Sequence, residues 1–110
     1  MEVTKNYELI TTTNDIKKSS EDYEVGDGQE GFTVQEVIKT FTSKEEALKE
    51  LKKYRCSIDS ETVSPEGTSI SVTEYFVFET EYDANGKLCR DCGIVEFAPL
   101  SDEGIIVFVE

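Results

Sequence analysis

Residues Ile70 to Tyr82 read ISVTEYFVFETEY, and this stretch decides the fold. Apolar residues occupy alternate positions from Ile70 to Phe78, with the exception of Glu74, and the positions between them are mostly polar. A period of two residues is typical of a β-strand, because alternate side chains point to opposite faces of the sheet. The stretch therefore predicts a long, half-buried strand with one apolar face.

Turn residues directly after this strand predict a hairpin. The segment Asp83-Ala84-Asn85-Gly86 contains Asn85 and Gly86, which both tolerate the positive φ angles of tight turns. The returning strand is expected from about Lys87 to Ala98. Within it, Gly93 interrupts the alternation and predicts a bulge or a close approach of another backbone.

The other segments carry weaker strand signals or loop signals. Tyr7 to Thr13 and Phe32 to Phe41 contain the β-branched and aromatic residues typical of strands. Gly104 to Val109 predicts a short final strand that is apolar on both faces, which favours a central or covered position. Asn14 to Gly31, rich in Ser, Asp, Glu and Gly, predicts a mobile acidic loop, and Cys56 to Gly67 predicts a second loop that can begin with a short strand.

One helix is predicted, from about Ser43 to Tyr54. Ser43 is a suitable N-cap, and Glu46 three residues later completes the capping-box pattern. Apolar residues then recur at spacings of three and four, which gives one narrow apolar stripe along the helix. The members of this stripe are Ala47, Leu48, Leu51 and Tyr54.

The order of these elements predicts an α+β fold in a single domain spanning residues 1–110. We expect an antiparallel sheet of about five strands with the helix, at about 43–54, packed on one face. Because Phe76 and Phe78 lie on the even-numbered side of the long strand, we expect the helix to cover that side. The other face is then expected to be largely open to solvent.

The charge distribution is the strongest clue to function. The chain carries a net charge of −13, and thirteen carboxylates fall in two stretches without any Lys or Arg, from Glu21 to Glu36 and from Cys56 to Gly86. Val37 to Arg55, between them, has six bases against three acids. A surface polarised in this way attracts a basic partner and repels nucleic acid and anionic lipid.

The carboxylates of the long strand are the first candidates for contacts with a partner. Glu79 and Glu81 are expected on the open, odd-numbered face, about 7 Å apart, a spacing similar to that of successive phosphates. Neighbouring acidic loops are expected to extend this surface. The alternatives are an acidic surface that serves solubility alone and a divalent-metal site. The predicted partner-binding residues are Glu74, Glu79, Glu81, Asp83, Tyr75, Glu21, Asp22, Glu24 and Asp27.

The three cysteines form an incomplete metal-ligand set. Cys89 and Cys92 have the C-x-x-C spacing of half a zinc site, and Cys56 is the candidate third ligand. No histidine is present to complete the set, and an odd number of thiols does not favour a disulfide framework. We expect ordinary thiols and no cofactor, with a Cys-based structural metal-binding domain as an alternative.

The absence of histidine also excludes several enzyme classes. Ser-His and Cys-His catalysis and the H-E-x-x-H metal sites all require it within the chain. We therefore predict a protein that is not an enzyme. The longest apolar run, Ile105 to Val109, is too short to cross a membrane, and the N-terminus has no signal-peptide pattern, so we expect a soluble protein of the cytosol.

These properties predict a non-enzymatic binding module or inhibitor that docks on a basic protein surface, such as one that binds nucleic acid. In type, though in no specific motif, the chain is similar to nucleic-acid mimics such as anti-CRISPR and anti-restriction proteins, and to acidic immunity-type proteins. Direct binding of nucleic acid or membrane is not expected. The competing prediction is a small acidic housekeeping domain, which can form a homodimer through Ile105 to Val109.

Overall fold

The computed structural model describes residues 4–29 and 34–110, and for residues 88–92 it describes the backbone alone. Six strands form one mixed, strongly curled sheet, and one α-helix packs on it. The strands are β1 (Thr4–Ile16), β2 (Val34–Phe41), β3 (Ser57–Ser64), β4 (Gly67–Tyr82), β5 (Leu88–Phe97) and β6 (Ile106–Val109); the helix is α1 (Lys44–Leu51), and two short 3₁₀ turns lie at Ser20–Asp22 and Asp27–Gln29.

Strand β4 is the long strand that pairs with three others, β1, β3 and β5. One of its edges pairs with β1 from Ile70 to Tyr82, while the other edge pairs first with β3 and then with β5. Its 16 residues, at a rise of about 3.3 Å each, account for most of the 58 Å length of the molecule. The long strand and its hairpin with β5 are confirmed, including a register shift beside Gly93, whose φ is 94°.

Cys56 fills the gap between β3 and β5 along β4. The backbone N–H of Tyr75 donates to the Cys56 sulfur at 3.3 Å, and the thiol donates to the carbonyl of Ala98 at 3.3 Å. The N–H of Ala98 donates to the carbonyl of Tyr75 at 2.9 Å. The thiol thus replaces a backbone partner at the one point where β4 passes from one neighbour to the next.

The prediction of a purely antiparallel sheet is wrong, because β3 and β6 run parallel. The prediction of a loop from Cys56 to Gly67 is also wrong, since most of it forms β3. A bulge between Ile58 and Ser60 breaks the alternation that would have indicated this strand. The central or covered position expected for the last strand is wrong as well, because β6 lies at the sheet edge with all four residues exposed.

Helix α1 begins as predicted but covers the opposite face of the sheet. The Ser43 hydroxyl accepts a hydrogen bond from the N–H of Glu46 at 3.4 Å, and the helix ends at Leu51 rather than Tyr54. Ala47 and Leu51 pack in one buried cluster with Tyr7, Leu9 and Val77. Since Leu9 pairs with Val77, these residues define the odd-numbered face of β4, so packing of the helix on Phe76 and Phe78 is a wrong prediction.

The even-numbered face is covered by the segment 17–29. Tyr23 packs in a second buried cluster with Ile70 and Val72. Because helix α1 covers part of the odd-numbered face, both faces carry a cover, and the expectation of one largely open face is wrong. The predicted acidic loop of residues 14–31 thus begins within β1 and continues as packed chain, while residues 30 and 31 lie outside the described ranges. Its mobility stays a prediction.

The helix stripe supplies a test of the core. Leu51 is 3% exposed, so Leu51→Ala should leave a cavity and lower the free energy of unfolding by about 2–5 kcal/mol. Lys49→Ala, on the exposed side of the same helix, is the control and should change it by less than about 0.5 kcal/mol. Urea unfolding of both variants measures the difference, and equal midpoints would show that the stripe is not core.

Candidate functional site

Glu74 is a fully buried carboxylate, with 0% of its surface exposed. One of its oxygens, Oε2, accepts hydrogen bonds from the Tyr23 hydroxyl, from the N–H of Gly26 at 2.7 Å and from the N–H of Gly28 at 3.3 Å. Oε1 accepts from the Gln29 side chain at 2.8 Å. A carboxylate that accepts from four donors is fully satisfied without water. The prediction that Glu74 contacts a partner is therefore wrong.

The same contacts fix residues 26–29 closely against the sheet. The Gln29 amide also donates to the Thr12 hydroxyl at 2.7 Å, and the Asn14 amide donates to the carbonyl of Gly28 at 3.3 Å. A Cβ atom on Gly28 would lie 2.8 Å from Glu74 Oε1 and 2.9 Å from a methyl carbon of Val72. The backbone therefore approaches the carboxylate at a distance that only glycine permits.

Residues 20–24, which we call the acidic turn, project from this anchored segment. Tyr23 is buried, whereas the acids on both sides of it are exposed. The N–H of Ser20 donates to the Glu61 carboxylate of β3 at 2.7 Å, which holds the start of the turn on the sheet. The structure thus brings three of the predicted partner-binding residues together at the surface: Glu21, Asp22 and Glu24.

Asp27 lies close to the acidic turn in sequence, but its carboxylate already contacts other groups of the chain. Its carboxylate forms a salt bridge with Lys18 at 2.8 Å and accepts from the N–H of Glu24 at 2.9 Å. The hydrogen bond from Lys18 is the main cause that holds the pKa of Asp27 below its usual value. This residue shapes the acidic turn more than it adds charge to the surface.

Glu79 and Glu81 share a face, but it is the face of the helix rather than an open one. Lys5 Nζ lies 3.6 Å from a carboxylate oxygen of each, and the Tyr7 hydroxyl donates to Glu79 at 2.9 Å. The attraction of Glu79 is the main cause that raises the pKa of Lys5. Lys5 therefore offsets part of the charge of these two acids, which are 19% and 14% exposed at the side chain.

The two remaining predicted residues have structural roles. Asp83 Oδ1 accepts from the N–H groups of Asn85 and Lys87, each at 2.9 Å, and so closes the hairpin turn. Tyr75 stacks on Tyr54 with ring centroids 4.8 Å apart. The nine predicted residues do not form one surface.

A cleft of about 360 Å³ lies beside the acidic turn, at the outer edge of β3. Pairing along this outer edge stops after Cys56 and resumes at Ser60. Between these two residues, the outer edge of β3 has no strand partner among the described residues. The cleft joins three separate segments of the chain, which is why sequence reasoning missed it. Its lining contains three acids, Glu21, Asp59 and Glu103, with the apolar Ile58, Leu100, Ile105 and Ile106, and no Lys or Arg.

Of the three cysteines, only Cys56 has a side chain that the structure describes. Cys56 is enclosed in the sheet, and burial raises its pKa to about 11. The side chains of Cys89 and Cys92 lie outside the described residues, so this half of the predicted thiol set is not tested. Among the side chains that the structure describes, those of residues 4–29, 34–87 and 93–110, no group of three or more Cys, Asp or Glu is arranged to hold a metal ion.

Comparison with models of protein families, with curated proteins and with solved structures finds no match to this chain. Of the helices that the structure describes, none has the length and apolar content needed to cross a membrane.

The close approach at Gly28 supplies a stability test. Gly28→Ala forces a methyl group against Glu74 and Val72, and this overpacking should lower the free energy of unfolding by about 1–3 kcal/mol. Gly104→Ala is the matched control, because a Cβ there meets nothing within 4 Å. Urea unfolding should separate the two variants, and a Gly28→Ala protein as stable as the control would contradict the anchored position of the segment.

Alkaline pH should destabilise the fold by favouring the ionised forms of two buried groups, the Tyr23 hydroxyl and the Cys56 thiol. Burial raises the pKa of Tyr23 far above its ordinary value of 10.0, with a contribution from its hydrogen bond to Glu74, and raises that of Cys56 from 9.0 to about 11. Because each folded pKa exceeds the unfolded one, the associated stability is complete below pH 9 and falls as the pH rises further.

Urea unfolding at a series of pH values measures this dependence. The free energy of unfolding should decline from pH 9 upward, and Tyr23→Phe and Cys56→Ser should each make the decline shallower. Variants whose decline matches that of the parent protein would contradict the assignment to these two groups.

Proposed function

We propose that the chain is a non-enzymatic binding module that docks its acidic surface on a basic surface of another protein. The observation that carries this proposal is the acidic turn, in which three exposed carboxylates flank a buried tyrosine. The chain has no Lys or Arg between Ser19 and Ile38, and of these three acids only Asp22 lines a cavity together with the preceding Lys17 and Lys18. An array of this kind attracts cations and presents nothing that would bind a nucleic acid or an anionic membrane.

The anchoring of the turn supports a role in recognition. Hydrogen bonds join the Tyr23 hydroxyl to Glu74 and the Ser20 N–H to Glu61, so the backbone that carries the three acids is held in position before any partner arrives. A preorganised surface loses less conformational entropy on binding than a mobile loop does. This position differs from the strand face around Glu79 and Glu81, where Lys5 lies 3.6 Å from both carboxylates and offsets part of their charge.

The net charge of −13 adds a long-range contribution. Steering by opposite charge raises the association rate and weakens with salt, because ions screen exposed charges beyond about 10 Å at 0.1 M ionic strength. A basic groove that normally holds nucleic acid is the kind of surface that such a protein would occupy. Occupation of that groove would make the protein an inhibitor without any catalytic step.

The test compares two triple variants that remove the same charge. Glu21→Gln, Asp22→Asn and Glu24→Gln neutralise the acidic turn, whereas Glu36→Gln, Glu45→Gln and Glu96→Gln neutralise exposed acids elsewhere. In a pull-down from the source organism, followed by mass spectrometry, the parent protein and the second triple should capture the same basic protein. The first triple should lose it.

Salt provides a second readout, since the captured protein should elute at moderate ionic strength. Equal capture by both triples would show that the acidic turn is not the contact, and equal loss would show that only net charge matters. Either result would refute the proposed surface.

A further inference from the structure

Strand β6 has one edge without a strand partner among the described residues. Its other edge pairs in parallel with β3, and the N–H of Glu110 donates to the carbonyl of Val63 at 2.8 Å. Alternate residues of a parallel strand direct their backbone groups to the same neighbour. Ile106 and Phe108 therefore bond in the direction of β3, and Val107 and Val109 direct their N–H and C=O groups outward.

The side chains of β6 are apolar and exposed. Ile106, Val107, Phe108 and Val109 are 62%, 53%, 55% and 78% exposed. Edge strands of soluble proteins are usually protected by a charge, a proline or a bulge within the strand, and β6 has no charged residue or proline. Such an edge is suited to receive another strand.

Acidic groups surround this apolar edge. Asp102 and Glu103 precede β6, Glu110 follows it, and Glu61 lies opposite Val107 in the adjoining strand. The cleft described above continues from its first residue, Ile106. Its apolar walls and its carboxylates match the aliphatic stem and the charged head of a Lys or Arg side chain.

We propose that β6 accepts an extended, Lys- or Arg-containing segment of the partner protein as an additional strand of the sheet. The outward backbone groups of Val107 and Val109 pair with the segment, and one of its basic side chains enters the cleft between Asp59 and Glu103. Strand addition supplies affinity through backbone hydrogen bonds and specificity through alternate side chains. This inference rests on the proposed function and specifies which segment of the basic partner makes contact.

Charge favours such a partner over a second copy of the chain. Two copies would each bring a net charge of −13, and neither strand contributes a Lys or Arg to the cleft of the other. An antiparallel pair around a two-fold axis would also bring Glu110 of each copy close to the acidic residues that precede β6 in the other. A basic segment meets the same edge without this repulsion.

Three labelled synthetic peptides test the proposal on the intact protein by fluorescence polarisation. The first alternates valine and lysine, the second replaces each lysine by glutamate, and the third carries N-methyl groups on both the valines and the lysines of the first, which blocks strand pairing along either edge of the peptide. The first should bind, and the affinity of the other two should be at least about tenfold lower.

Protein variants locate the site. Val107→Pro removes an outward N–H while leaving the bonds to β3 in place, and it should weaken the valine-lysine peptide about tenfold. Asp59→Asn with Glu103→Gln should weaken it similarly, whereas Glu36→Gln with Glu96→Gln, which removes the same charge, should not. The N-methylated peptide keeps the test decisive even if the proline variant is unstable.

The remaining outcomes would overturn the inference. These are no binding of the valine-lysine peptide at millimolar concentration, equal binding of its N-methylated form, or a stable dimer of the free protein in sedimentation that Val107→Pro dissolves. Strand addition can fail while the proposed function holds. Capture of a basic protein that depends on the acidic turn but is unaffected by Val107→Pro would preserve the function and refute strand addition.

Discussion

The structure depends on one buried carboxylate, that of Glu74. A charge this deep is tolerated only when its hydrogen bonds are complete, and the donors that complete them come from Tyr23, Gly26, Gly28 and Gln29. The even-numbered face of β4 therefore needs a polar cover. Helix α1 offers only an apolar stripe to the sheet, so it is suited to the odd-numbered face, where the strand presents Val77 and β1 presents Leu9.

This division between the two faces determines what reaches the surface. Tyr23, in the acidic turn, donates a hydrogen bond to Glu74. Because Tyr23 is buried, the acids on each side of it point outward. The two covers also lie over different halves of β4, which is consistent with the elongated shape of 58 × 25 × 18 Å. Opposite the segment 17–29, the sheet face beside β3 stays half-exposed and carries Ser60, Thr62 and Ser71.

Local patterns in the sequence predicted the elements that local interactions determine. Alternation located β4, turn chemistry located its hairpin, and the Ser43 cap located the start of α1. The face on which the helix packs was mispredicted, because alternation shows which side of a strand is buried but not which element covers it. The signal that could have corrected this was Glu74 itself, an acid at a position whose neighbours of the same parity are apolar. We interpreted it as surface charge, as is usual for Glu.

Strand β3 and the cleft were beyond such reasoning for a different reason. Because of the bulge in β3, Ile58 and Val63 lie on the same face although they are five positions apart, so a period of two residues does not reveal the strand. The cleft forms only where residues 20–21, 57–59 and 100–106 meet. Contacts between segments so distant in sequence depend on register and on a parallel pairing that no local motif encodes. The thiol of Cys56, which bonds within the sheet, is likewise recognisable only once β3 and β5 are placed.

The open edge of β6 and the net charge of the chain are best understood together. An exposed apolar strand such as Ile106–Val109 would normally promote aggregation, because it offers its backbone groups to any strand, including that of another copy. A net charge of −13 opposes the approach of a second copy at long range, before backbone groups can pair. The same field attracts a basic partner. Charge can therefore select against self-association while leaving the edge free, which removes the need for a charged or proline residue within β6.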